Sequence, residues 1–218
     1  MSEYINTITI PPQESAAALA QAMTTALGTA LSWTADVDNS SVWQIQSGLR
    51  FVFYCTTNYV YIYATNSIVS YSQMDVSNRV EFYGGMSYCI DYIKTDDIVV
   101  AGIRPTGGGI GLGAFIAKNT NGEWKSFTLY TGSTTGVNIY YSATTYTSPK
   151  EWHAEAISNS AASTSLVRYP DPFGGCMFNN LYVMISCPSN LNDKVFYIGG
   201  KYFRFVGLGY SGFAVQVG

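Results

Sequence analysis

The chain has 218 residues, enough to bury a full core as one large β domain or two small ones. Only 11% of them are charged, against about 25% in ordinary soluble domains, while 18 tyrosines argue against intrinsic disorder. A net charge of −3 with 11 scattered Lys and Arg argues against nucleic acid as a partner, since phosphates are neutralised by clustered cations.

The first 38 residues read as an N-terminal arm and helix, and residues 39–218 as a β-rich domain packed as one unit. The arm, MSEYINTITIPPQE, carries two glutamates and no Lys or Arg, the reverse of a secretory leader. From Ser15 to Ala35 no residue is charged, but Ala, Thr, Ser and Gln dominate, and the segment falls short of a membrane span. It predicts an amphipathic helix with Pro12 at the first helical position and Glu14 at the positive helix start. Leu19, Met23, Leu27 and Leu31 recur every four residues as one ridge beside a flat ridge of Ala18, Ala22, Ala26 and Ala30. Such a ridge packs on the chain's own sheet or docks on a neighbouring subunit. Gly28 weakens the last turn by about 1 kcal/mol relative to alanine.

From residue 41 the pattern turns to strands. SVWQIQSGLRFVFYC gives two runs around Ser47-Gly48, a hairpin signal. In TTNYVYIYATNSIVSYS, Tyr59, Tyr61 and Tyr63 alternate with Val60 and Ile62, so both faces are partly apolar and the strand lies between a core and a second layer or subunit. RVEFYGGMSYCIDYI, DIVVAGIRP, AFIAKNTNGEWKSFTLYTG and GVNIYYSATTYT continue the series. Asn121-Gly122 predicts a type I′ hairpin turn. The stretch from Ser142 to Pro172, rich in Ser, Ala, Thr and Pro, reads as a long loop or as holding a short helix around Glu151 to Ser158. Strands resume in CMFNNLYVMISCP, in VFYI and KYFRF separated by Gly199-Gly200, and in FAVQV. The fold expected is mainly β, an antiparallel sandwich or barrel-like set of sheets with one N-terminal helix.

No chemistry-bearing constellation emerges. RPTGGGIGLGAF offers glycines at P-loop spacing, Gly108 and Gly113, but Ala114 and Phe115 stand where Lys and Ser or Thr are required. Strand and hairpin follow it, whereas a phosphate loop feeds a helix N-terminus. The run, with Gly107, Gly109 and Gly111, is therefore read as a connection ordered at an interface. His153 is the only histidine and has no identifiable nucleophile partner. Asp96 and Asp97 are adjacent and cap the entry to IVVAGI. Asp36 and Asp38 lack the oxygen set of a calcium loop. Cys55, Cys89, Cys176 and Cys187 show no CxxC, and the first two lie in apolar runs where thiols act as small buried hydrophobes. No metal, no cofactor and no catalytic residue is expected. Trp43, Trp124 and Trp152 are the residues whose faces would contact a glycan if exposed.

The layout of ITIPPQESAAALAQAM, of the glycine-separated aromatic strands and of the ending VFYIGGKYFRFVGLGYSGFAVQV resembles structural proteins of tailed bacteriophages. That resemblance implies a virion component of the tail, baseplate, neck or head, made in the host cytoplasm, with copies of itself and other virion proteins as partners. It implies no active-site residues. Sparse charge points the same way, because interface cores are depleted in Lys, Glu and Asp and enriched in Tyr, Trp and Phe. The expected contact surfaces are the Leu19/Met23/Leu27/Leu31 ridge, the Tyr59/Tyr61/Tyr63 strand and the glycine run. The alternative is a receptor- or glycan-binding β module at a tail tip that meets a host-surface glycan; a glycan hydrolase ranks last, since no pair of carboxylates is nominated.

Overall fold

The structure is a computed structural model that describes residues 5–43, 48–65, 80–106, 112–133, 136–141, 144–146, 153–159, 162–168, 180–185, 193–198, 200–207 and 211–218. Strand β1 (Asn6–Ile10) leads into helix α1 (Ala16–Leu31), followed by β2 (Thr34–Asp36), β3 (Ser41–Trp43), β4 (Arg50–Cys55), β5 (Tyr59–Thr65) and β6 (Val80–Glu81). Then come β7 (Tyr88–Lys94), β8 (Ile98–Pro105), β9 (Leu112–Lys118), β10 (Trp124–Ser133), β11 (Gly136–Tyr141) and β12 (Thr144–Tyr146). The chain closes with β13 (His153–Asn159), β14 (Ala162–Arg168), β15 (Leu181–Ile185), β16 (Val195–Ile198), β17 (Lys201–Gly207) and β18 (Ser211–Gln216). Among the described residues the fold is mainly β with one helix near the N-terminus, as its sequence predicts.

Three antiparallel sheets form. Sheet A has seven strands in the order β1-β7-β8-β9-β10-β11-β12, sheet B five in the order β2-β3-β4-β5-β6, and sheet C six in the order β13-β14-β15-β18-β17-β16. One core joins the buried ridge of α1 to one face of sheet B (Phe51, Phe53, Val60, Ile62) and one face of sheet A (Tyr88, Ile90, Val99, Ala101, Ile103, Ala114, Ile116). The other face of sheet A, with Ile93, Ile98, Val100, Phe115 and Ala117, is equally buried. There Phe115 meets Phe213 of sheet C edge-on, ring centroids 5.4 Å apart. Sheet A is thus a middle layer, with α1 and sheet B on one side and sheet C on the other. That position explains why β8 reads IVVAGI: with no wetted face, it has no polar alternation to show.

The helix departs from its predicted start. Ser15, in an extended conformation, is the N-cap, and its Oγ accepts from Ala18 N–H at 3.1 Å. Pro12 and Glu14 precede it, outside the helix, and no acid lies in the first turn. Ser32 closes the helix in the left-handed region at φ 56°, its N–H bonding to Thr29 O at 3.2 Å. Lys94 of β7 donates its ammonium to the carbonyl of Leu31, where the helix dipole favours a cation.

Two other expectations change. His153–Asn159 is strand where a short helix was an option: β13 and β14 pair from His153↔Arg168 to Asn159↔Ala162, and residues 151 and 152 lie outside the described residues. The alanines of HAEAISN suit a helix by propensity, but strand pairing decides the outcome. The turn at Asn121-Gly122 is not type I′, because only Gly122 has a positive φ, 80°. Instead Gly122 N–H bonds to Asn119 O at 2.9 Å and the pairing resumes at Asn119 and Glu123, giving a type I turn closed by a left-handed glycine. Asn119 enforces it, its Oδ1 accepting from the N–H groups of Asn121 and Glu123 at 3.0 and 2.9 Å.

Candidate functional site

The predicted contact residues are mostly consumed by the chain itself. Leu19, Met23, Leu27 and Leu31 have zero exposure in the shared core, so the ridge packs on the chain's own sheets and is closed to a second subunit. Tyr61 and Tyr63 are buried and stack on each other with centroids 6.0 Å apart, while Tyr59 at the strand start is half-buried. Packing within the chain thus buries Tyr61 and Tyr63, which were expected to contact another subunit. Gly107, Gly109 and Gly111 lie outside the described residues. Their flanks pair as antiparallel neighbours, Ile103↔Leu112 through Ile98↔Ala117, so the run joins two adjacent strands and feeds no helix.

Of the three tryptophans, Trp124 is half-buried against the core with the Lys118 ammonium 5.2 Å above its ring, so it offers no open platform to a sugar. Trp152 lies outside the described residues, as does the side chain of Trp43. His153 begins β13 opposite Arg168, and nothing is described of its side chain.

The acids are engaged locally. Asp97 pairs with Lys118 at 2.8 Å, and it is Thr95 Oγ1 that accepts from the N–H groups of Asp97 and Ile98 at the β7–β8 turn. Asp36 accepts from Asn39 N–H and Nδ2 at 3.1 and 2.9 Å, and these bonds hold its carboxyl below the usual range. Asp91, 1% exposed, takes Arg104 Nε at 2.5 Å, Arg104 Nη2 at 3.2 Å and the Thr7 hydroxyl at 2.6 Å, which ties β1 to β7 and β8. Its partner Arg104 is held further in its charged form by that bond. Cys89 is buried and free; Cys55 is free and half-buried, and burial pushes its thiol up, the reverse of an activated nucleophile. Cys176 and Cys187 lie outside the described residues. Among the described residues no group of three or more His, Cys, Asp or Glu could hold a metal, and no helix is long and apolar enough to cross a membrane.

What remains outward is concentrated in one place. Among the described residues the exposed large apolar or aromatic side chains are Val37, Tyr54, Tyr83, Val195, Tyr197 and Tyr202, and three of these six share the β16–β17 hairpin. Gly200, at φ 85°, lies just before β17, and the register runs Val195↔Arg204, Phe196↔Phe203, Tyr197↔Tyr202 and Ile198↔Lys201. Strand alternation then sends Phe196 inward to stack on Phe205 at 4.5 Å and sends Val195, Tyr197 and Tyr202 outward. Tyr197 is 66% exposed and Tyr202 54%, their rings 5.0 Å apart and tilted by 56°. Arg204 beside them bonds to Asp193 Oδ1 at 2.6 Å. With Lys194, Lys201 and Arg204 against Asp193, the hairpin is a cationic spot on an anionic chain. Because β16 is the outer strand of sheet C, the hairpin is also a sheet edge.

Sequence reading found this turn but missed its surface. Both faces of VFYI and KYFRF carry aromatics, so the alternation does not say which face is wet. Arg204, on the same face as Tyr202, and the exposed Lys194 before the strand were the available signal.

A second edge lies in sheet B. Strand β2 is its outer strand, and the hairpin turn after it exposes Val37, at 38%, together with Asp38. Residues Thr34 to Asp38 line a shallow concavity of about 530 Å³. No protein-family model matches the chain, and no curated protein or solved structure matches it either.

Proposed function

We propose that this chain is a non-enzymatic structural component of a particle, a bacteriophage virion as its layout suggests, attached through the outward face of the β16–β17 hairpin. One observation carries the reading: Tyr61, Tyr63 and Tyr88 are buried, whereas Tyr197 and Tyr202 stay exposed, side by side on a sheet edge. Tyrosine presents a large rigid area at small conformational cost, and with arginine it dominates the residues that anchor protein interfaces. An outer strand adds unpaired backbone groups that a partner can extend.

The test is production together with the other proteins of the particle, followed by density-gradient sedimentation. Wild type co-migrates with particles, and Tyr197→Ser/Tyr202→Ser stays at the top of the gradient with an unchanged melting transition. Particle migration of that variant, or absence of the wild type from particles, overturns the proposal.

A further inference from the structure

We infer that the partner of the β16–β17 hairpin is a second copy of this chain, which receives it on edge strand β2 and the turn that follows, so that copies join head to tail. The inference rests on the assembly reading above and names its contact.

Charge selects the pairing. A two-fold contact of hairpin on hairpin would set Lys194 and Arg204 against their own counterparts, and like charges in register oppose association. The β2 edge has the complementary make-up. It offers Asp36 and Asp38 around an exposed Val37, in a concavity open to an incoming strand. Asn39 keeps Asp36 ionised, so the anionic character persists at neutral pH. Both partners are outer strands of their sheets, so backbone pairing is open to each.

The two edges are also apart. Sheet C and sheet B lie on opposite sides of sheet A, so one copy presents the hairpin on one side and the acidic turn on the other. A contact between different patches is heterologous, and it repeats into a ring or a filament. Its size fits this use. Two tyrosines and a valine expose at most a few hundred Å², short of the roughly 800 Å² per partner of a stable binary complex. Each joint is weak, and repetition supplies the avidity.

The experiment is sedimentation velocity on the purified chain across a concentration series. Lys194→Glu and Asp38→Lys, both on exposed side chains, each raise the concentration needed for association by about tenfold or more. The double variant Lys194→Glu/Asp38→Lys, with the charges exchanged, returns close to wild type, as does an equimolar mixture of the two single variants. Asp38→Lys, on the opposite edge, stands as the independent arm should Lys194→Glu fold poorly. Single variants that associate like wild type, or a double variant no better than the singles, overturn the head-to-tail contact. If the wild type stays monomeric throughout while Tyr197→Ser/Tyr202→Ser still loses its particle, the hairpin binds a different virion protein and only this inference falls. If the tyrosine variant also keeps its particle, the assembly reading falls with it.

Discussion

Gly28 gives the sharpest quantitative test of the packing. By helix propensity alone, Gly28→Ala in the last full turn of α1 should stabilise the protein by about 1 kcal/mol. The structure predicts the opposite sign. A Cβ built on Gly28 would sit 2.8 Å from the Cβ of Ala35 and 3.4 Å from the carbonyl oxygen of Trp33. Carbon atoms rest at about 3.5–4.0 Å, and neither methyl can rotate away: one is fixed by the helix, the other by β2, where Ala35 pairs with Val42. Overpacking of this kind costs about 1–3 kcal/mol, so the net change is a destabilisation of about 1 kcal/mol. In an Ala35→Gly background the obstacle is gone and Gly28→Ala becomes stabilising, a coupling of about 2 kcal/mol. Urea unfolding followed by tryptophan fluorescence, with a constant slope across the four proteins, measures the cycle. An equal effect of Gly28→Ala in both backgrounds, or a stabilised single variant, would refute the reasoning.

Two further substitutions probe the interior. Arg104→Leu strips Asp91 of both guanidinium bonds while leaving it 1% exposed, and should cost about 3–5 kcal/mol; Asp91→Leu/Arg104→Leu should recover much of that, and a single variant within 0.5 kcal/mol of wild type, on the order of an ordinary surface change, counts against it. Tyr88 accepts from Tyr83 N–H and donates to Glu81 O, both at 2.8 Å, and burial raises its phenol above the ordinary 10.0. Since the folded state holds that proton more tightly than the unfolded chain, its contribution is complete below pH 10.0 and is lost as pH rises further. Tyr88→Phe should lower stability at pH 7 by about 1–2 kcal/mol and flatten the alkaline decline in a melting series, and an unchanged alkaline slope would remove Tyr88 as its source.

Much of this was legible in the residues. The four-residue spacing of Leu19, Met23, Leu27 and Leu31 marks a helix with one buried side because nothing else places four bulky groups on a line. Glycine pairs mark turns where φ must be positive, as at Gly200 with φ 85°. What resisted reading was whatever depends on neighbours distant in sequence. Tyr61 and Tyr197 look alike in their strands, and only layering makes one a core residue and the other a surface. Ala154 and Ala156 favour a helix locally, yet Val167 and Ser165 stand across from them in the ladder. At the helix start, Pro12 and Ser15 are both good punctuation, and the hydroxyl bond to Ala18 decides between them.

The burial of sheet A on both sides restricts how the gene can be cut. A fragment that stops before sheet C would leave Ile98, Val100, Phe115 and Ala117 bare to water, with the Asp91–Arg104 pair beside them on the same face, an apolar slab of the kind that associates. Sheet C, whose strands come later in the chain, is the lid on strands made before it.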